Sequence, residues 1–578
     1  MSRLAGSVGL FPSLRGYRRD WLAGDALAGL TVWAVLVPEA LAYATIAGVS
    51  PVVGLYAAPA ALIFYAAFGS SRYLVAGPSA ATAALSAATV GDIVAGNSGE
   101  FVAMTAALAL TVGLAAIVAG LLRLGFIASF VSEPVLKGFI VGLALTIMIG
   151  QAPKLFGLEG SGGDFFEQLW NLLRHLGSSD GVTVAIGFGS LALILGLRRA
   201  MPRAPGYLIA VLLGIGVVEV FGLQGDTSIV GAVKSGFPSL GLPGVGLGDG
   251  VDLLAGAVGI MFVGFAEGLG AAKTYAAPDH EEIDANRELI GVGAANLGAG
   301  LSAGMTVNGS LSKTAVSVTG GARTQLSGLI VAALIVLTIA LLTGLFEDLP
   351  EATLAAVVVA ALIDLVDIPA LRDLYRTYTV RLGRVYGFAT RADFIASVAA
   401  MLGVMIFDTL PGLVIGISIS LVLLVYRSSR PNVARLGRLP GKKGHWEDVD
   451  RHPDAVEDPD VVILRPEGGL FFANADQIRH EVLAAVGPDT KGVILDGETV
   501  AFVDVTAAQM LRRLRDQLES SGVGLYMAKD IGQVRDVILQ ADPDDPLVQH
   551  LFPTIREAIT AAKKPRQAPA PEDGSPPG

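Results

Sequence analysis

The chain has 578 residues, 52% of them hydrophobic and only 16% charged, with a mean hydropathy of +0.61. An ordinary soluble domain carries roughly 25% charged residues, so a cytosolic enzyme is excluded on composition. The absence of cysteine removes disulfides, thiolate catalysis and zinc–thiolate sites, and a net charge of −11 argues against a nucleic-acid partner.

Residues 1–21 form a short basic N-terminus. The apolar run 22–47 follows, long enough to span a bilayer, which takes roughly 20 residues. It lacks a small-residue cleavage site and is followed at once by 51–68, so removal as a leader is not expected. Further spans read at 104–122, 134–150, 182–197, 207–222, 252–272, 288–303, 327–345, 351–366, 392–408 and 411–426. Segments 76–91 and 308–320 are apolar but short and rich in Gly, Ser and Thr, as discontinuous helices are. The count is about fourteen membrane segments. The two short ones hold matching places in the two halves, the pattern of a seven-plus-seven inverted repeat.

Positive charge orients the bundle. With Arg3, Arg15, Arg18 and Arg19 in the cytoplasm, Arg72, Arg123, Arg198, Arg199, Arg203, Arg287 and Arg323 also fall inside, whereas Lys154, Arg174 and Lys234 fall outside. After the membrane region, 22–426, residues 427–459 read as a linker. Residues 460–563 alternate strand and helix signals: strands at 461–464, 493–495 and 524–527, helices at 475–486 and 506–520. This is a small cytosolic α/β domain. The end, 564–578, is rich in Pro, Gly, Ala and Glu and is expected to be disordered.

Within Gly77-Pro78-Ser79-Ala80 the glycine and proline permit an extended approach, and Ser79 can cap a helix start. In Asn308-Gly309-Ser310-Leu311-Ser312-Lys313 the cap is Asn308, Ser310 or Ser312. Each helix start carries about half a positive charge and unpaired N–H groups, which together favour an anion. Lys313 would add a full charge; a lysine in a bilayer needs a partner or a function. Glu39, in mid-span after Pro38, is costly when ionised and is a candidate proton carrier; Pro38 is expected to unwind the helix locally. Glu267, with Lys273 nearby, reads equally as a substrate contact, a coupling group or a structural ion pair. Gly291–Ala294 and Gly298–Gly300 suit close helix packing. The six histidines lack metal-ligand spacing, there is no phosphate-binding GxxxxGK[ST] loop, and no nucleophile–base constellation marks an enzyme. No cofactor is implied.

These blocks resemble the sulfate permease (SulP) anion-transporter family. Val37-Pro38-Glu39-Ala40-Leu41-Ala42-Tyr43-Ala44 with Pro51-Val52-Val53-Gly54-Leu55-Tyr56 is similar to its first-span signature. Gly77–Ala80, Phe265-Ala266-Glu267, Ser310–Ala315 and Gly320–Thr324 match further blocks. Gly492–Asp496 and Phe502–Thr506 resemble the STAS (sulfate transporter and anti-sigma antagonist) fold. The resemblance implies a repeat shared with uracil permeases, divided into core and gate, working as an elevator, and a homodimer in a cell membrane, that of a bacterium by its prokaryotic character. It implies an anion site at Ala76, Gly77, Pro78, Ser79, Ala80, Tyr43, Ser310, Leu311, Ser312 and Lys313, with Glu39 and Glu267 nearby. Three positions depart from the family pattern: Lys313 replaces a frequent arginine, Glu39 stands where animal members often have glutamine, and Val505 replaces the phosphorylated serine of anti-sigma antagonists.

The reading is a secondary active transporter of sulfate, bicarbonate or a dicarboxylate, coupled to protons or else to sodium. Alternatives are a sodium-coupled bicarbonate carrier, a nucleobase carrier of the same fold, and a membrane-anchored scaffold whose STAS domain binds a cytosolic partner. The cationic Lys313 counts against a nucleobase.

Overall fold

The computed structural model describes residues 10–91, 93–94, 98–126, 132–201, 204–231, 236–279, 281–363, 365–376, 392–407, 409–441, 444–529, 532–541 and 550–564. The expected disordered tail lies beyond them, apart from its first residue. Two units separate: Met1–Thr377 with Asp393–Ser420, and Tyr378–Ala392 with Leu421–Gly578.

In the first unit the apolar runs become helices, the element that satisfies its own backbone polar groups where no water can. In order they are α1 (Leu22–Ile46), α2 (Pro51–Phe68), strand β1 (Val75–Gly77), α3 (Ala80–Gly91), α4 (Ser98–Leu121), α5 (Glu133–Phe156), α6 (Phe165–His175), α7 (Gly181–Ala200), α8 (Gly206–Phe221), α9 (Leu247–Asp252) and α10 (Leu254–Ala276). Then come α11 (Ala285–Leu301), strand β2 (Asn308–Ser310), α12 (Leu311–Thr319), α13 (Leu326–Leu341), α14 (Glu351–Ile363), α15 (Ile368–Arg376), α16 (Ala392–Phe407) and α17 (Thr409–Ser429), whose residues from Leu421 onward belong to the second unit. Among the described residues, seven helices are long and apolar enough to cross a membrane and five more apolar ones are shorter. With α11 and α12 these make the fourteen expected segments. The amphipathic α6 was not foreseen. Pro38 lies inside an unbroken α1, so the unwinding expected there does not occur.

The packing partners exchange when each membrane segment is replaced by its counterpart in the other half. α1 packs on α13 as α10 packs on α4; α2 on α13 as α11 on α4; α1 on α12 as α10 on α3. The α2–α11 and α5–α14 contacts map onto themselves. The helices pack mainly within two groups, with α1 also touching α8 and α14. One joins α1–α4 with α10–α13, and the other joins α5, α7, α8 and α14. Small residues bring the first set close. A Cβ placed on Gly113 would lie 2.7 Å from the Gly293 carbonyl oxygen, and one on Gly300 2.7 Å from that of Ala106. The glycine runs of α11 thus pack as expected.

The second unit holds β3 (Val433–Arg438), β4 (Trp446–Asp448), β5 (Val461–Pro466), α18 (Ala475–Ala485), β6 (Gly492–Asp496), α19 (Val505–Ser520), β7 (Gly524–Ala528), α20 (Gly532–Ala541), β8 (Leu551–Phe552) and α21 (Ile555–Ala562). The sheet order is β4-β3-β5-β6-β7-β8, parallel from β5 to β8 and antiparallel at β3. Leu511, Leu514, Ile478 and Val482 cover one face, Ile555 and Ala558 the other. The stretch 427–459 is therefore more than a linker. It supplies two strands, because Ala434 and Leu436 alternate into the core while Arg435 pairs with Glu457 at the surface.

Candidate functional site

β1 and β2 pair antiparallel at the centre of the first unit, with Val75 opposite Ser310, Ala76 opposite Gly309 and Gly77 opposite Asn308. Each short strand feeds a helix: β1 leads through Pro78 and Ser79 into α3, and β2 runs directly into α12. Three strand residues at about 3.4 Å each span roughly 10 Å, so both helix starts lie beside one short ladder. Gly309 is required here. A Cβ would come within 2.6 Å of Leu74 and 2.9 Å of Gly268.

Serine caps both helices at the same position. Ser79 Oγ accepts from the Thr82 backbone N–H at 3.3 Å, and Ser310 Oγ accepts from that of Lys313 at 3.4 Å. Of the three candidate caps for α12, the structure uses Ser310. Ser312 Oγ lies 3.2 Å from Ser310 Oγ, and Asn308 turns elsewhere, donating through Nδ2 to Glu267 Oε2 at 2.7 Å. Lys273 is not the partner of Glu267 among the described residues. The amide oxygen of Asn308, Oδ1, is buried without a hydrogen-bond partner among the described residues.

The ammonium of Lys313 is buried at 1% exposure and lies 2.8 Å from Glu39 Oε2, itself 3% exposed. It also sits 5.2 Å from the centre of the Tyr43 ring and 3.4 Å from Ser310 Oγ. Two residues singled out separately in the sequence therefore form one ion pair between α1 and α12. Ala76, Gly77, Pro78, Ser79, Ala80, Tyr43 and Ser310 are buried, whereas Leu311 and Ser312 are exposed and Glu267 is half-buried. The arrangement is a lysine held against a carboxylate behind a helix start whose first two residues face open space.

Two buried carboxylates escaped the sequence reading. Asp25, on α1, accepts from the backbone N–H groups of Arg323 (2.6 Å) and Thr324 (3.1 Å) and from Thr324 Oγ1 (2.8 Å), fixing the turn between α12 and α13. Glu288, on α11, accepts from the Tyr65 hydroxyl at 2.7 Å and from Ser70 Oγ and the Ser71 N–H at 3.0 Å, fixing the turn before β1. The available signal was an acid in the first turn of an apolar helix.

In the second unit Val505 is exposed at the start of α19, which Asp504 caps by accepting from the Ala507 N–H. Arg465 meets the buried Asp496 through Nε and a terminal nitrogen, both at 2.7 Å.

The family model described as "Sulfate permease family" matches residues 22–386, and that of the STAS domain matches residues 452–558. A probable sulfate transporter of Mycobacterium tuberculosis is 37% identical over 555 residues, covering 95% of this chain and 97% of that protein. A chloroplastic sulfate transporter of Arabidopsis thaliana is 29% identical over 90% of this chain and 77% of its own length. Among solved structures, the murine Solute Carrier 26 family member A9 anion transporter in the inward-facing state superposes with a TM-score of 0.85 at 22% identity, over 96% of this chain and 94% of that one. The transmembrane domain of the cyanobacterial bicarbonate transporter BicA gives a TM-score of 0.58 at 25% identity, over 67% of this chain and 97% of that one.

Proposed function

This chain belongs to the sulfate permease family, and from that premise we propose that it is a secondary active transporter of a small anion, sulfate, bicarbonate or a dicarboxylate, coupled to protons. One observation carries the reading: the buried Lys313–Glu39 pair at the first turn of α12, beside the β1–β2 ladder. While the pair is closed, the ammonium is neutralised and has little to offer an anion. A proton on Glu39 removes the competing charge and leaves Lys313, the N–H groups of α12 and the Ser310 and Ser312 hydroxyls to the substrate. Anion and proton then enter together, which is symport. The division into α1–α4 with α10–α13 against α5, α7, α8 and α14 supports movement of one set past the other, as an elevator requires. The carrier occupies residues 22–426 and the STAS domain 460–563 on this reading; the homodimer and a cytosolic STAS partner belong to the same proposal.

The test is uptake of labelled sulfate, bicarbonate and succinate by proteoliposomes under an imposed pH gradient. Glu39→Gln is expected to keep anion exchange and lose accumulation driven by the gradient. Accumulation that still follows the pH gradient in Glu39→Gln overturns the assignment.

A second reading has its own support. The Glu267 carboxylate and the unpartnered Asn308 Oδ1 are hard oxygen groups on neighbouring elements, the kind a sodium ion takes. Uptake that follows a sodium gradient and is lost in Glu267→Gln would assign the coupling there.

A further inference from the structure

A cavity of about 680 Å³ lies away from the Lys313 site, at the end of the helix bundle that the charge bias assigns to the cytoplasm. Its walls come from three places: Asp20, Trp21 and Gly24 at the start of α1; Arg72 and Tyr73 ahead of β1, with Glu281 ahead of α11; and Gly321 and Arg323 in the turn after α12. Gly24 approaches the Gly321 carbonyl so closely that a Cβ would meet the oxygen at 2.5 Å.

The charges on these walls balance, two guanidiniums against two carboxylates. Arg72 Nε lies 3.0 Å from Glu281, and Asp20 takes part in an exposed pair with Arg18 at 3.2 Å. The Arg323 backbone is fixed by Asp25, while its side chain is exposed and, among the described residues, has no ion-pair partner. A polyanion such as a nucleotide would find its charge opposed by Asp20 and Glu281. A small zwitterion matches both signs. Exposed Leu22, Leu27 and Leu30 lead away from the cavity along the outer face of α1, and Trp21 stands at its rim, as tryptophans do at a bilayer boundary.

We propose that this cavity binds a phosphate ester carrying a primary ammonium, the phosphoethanolamine group. Arg323 and Arg72 take the phosphate, Asp20 and Glu281 take the N–H donors of the ammonium, and acyl chains, when present, follow the leucines of α1. The site is independent of the anion site at Lys313.

The experiment uses the full-length chain in nanodiscs of mixed composition and measures retained lipid by native mass spectrometry. Phosphatidylethanolamine is compared with phosphatidylcholine, which keeps the phosphate but has no N–H, and with phosphatidylglycerol, which has no cation. Retention is expected to favour the ethanolamine lipid. Loss of a charge-assisted hydrogen bond in Arg323→Ala or Asp20→Ala should cut that preference about tenfold. Soluble glycerophosphoethanolamine serves as a second arm: protection against heat by it assigns the site to the free ester as well, and its failure alongside a lipid preference assigns the site to the membrane lipid. Equal retention of all three lipids, equal retention of the ethanolamine and glycerol lipids, or a preference unchanged in both variants would overturn the proposal.

Discussion

The Lys313–Glu39 pair sets what substitution can reveal. Two charges taken out of water are expensive, and removing one partner strands the other; the cost of breaking such a pair is about 3–5 kcal/mol. Lys313→Ala is therefore expected to lower the thermal midpoint as well as anion affinity, so loss of transport in that variant alone does not separate the two effects. Glu39→Gln with Lys313→Gln carries no stranded charge. It should recover most of the lost stability and still fail to bind anion, measured by thermal unfolding in detergent and by labelled-sulfate binding. Both residues were visible in the sequence because ionisable groups in apolar spans stand out. Their contact was not, since 274 positions separate them and only the folded chain brings α12 against α1. Asp25 and Glu288 were less legible still. Near a helix start an acid reads as a solvated or dipole-favoured group, and only the fold reveals the turns that bury it.

Among the elements, α4 and α11 make a long, close contact. Ala106, Gly113 and Gly120 recur every seventh residue along α4 and meet Gly300, Gly293 and the stretch around Asn286 on the antiparallel α11. Overfilling a packed interface costs typically 1–3 kcal/mol. Gly113→Leu should therefore reduce the midpoint of thermal unfolding, while Gly196→Leu, which has open space around its missing Cβ, should leave it near the wild-type value. The glycine runs of α11 were readable as packing residues, and the two half-segments as discontinuous helices. The three-residue strands that precede those helices were not, because so short a stretch of Val-Ala-Gly or Asn-Gly-Ser carries no period. In the second unit β3 and β4 were hidden for a related reason: basic and acidic residues on their outer faces give 427–459 the composition of a linker.

At the scale of the whole molecule, a bilayer-embedded unit is joined to one whose surface carboxylates are held by lysines. Lys529 donates a 2.7 Å hydrogen bond to Glu498 and holds that carboxyl below its ordinary value of 4.5; Lys491 does the same for Asp460 against 3.8. Carboxyls depressed in the folded state contribute stability that is present above the unfolded value and is lost as pH falls through the folded one. Hydrogen-exchange protection of β5 and β6 in the intact chain should therefore hold near neutrality and decline below about pH 4.5. Lys529→Ala should weaken that decline. The order of the segments and the STAS fold were legible from the sequence, since span length and strand–helix alternation are strong signals. The exchange symmetry of the packing was implied only by where the two short segments fall, and it takes three dimensions to see.

The ladder of Val75–Gly77 on Asn308–Ser310 has one more outcome. Because each half lends only a single strand, neither can complete the central floor by itself, and an isolated half would expose a row of unmatched main-chain groups to hydrocarbon. Synthesis at the ribosome must then run past residue 310 before the middle of the protein can close, leaving the early helices to wait, provisionally docked, for a counterpart that arrives late.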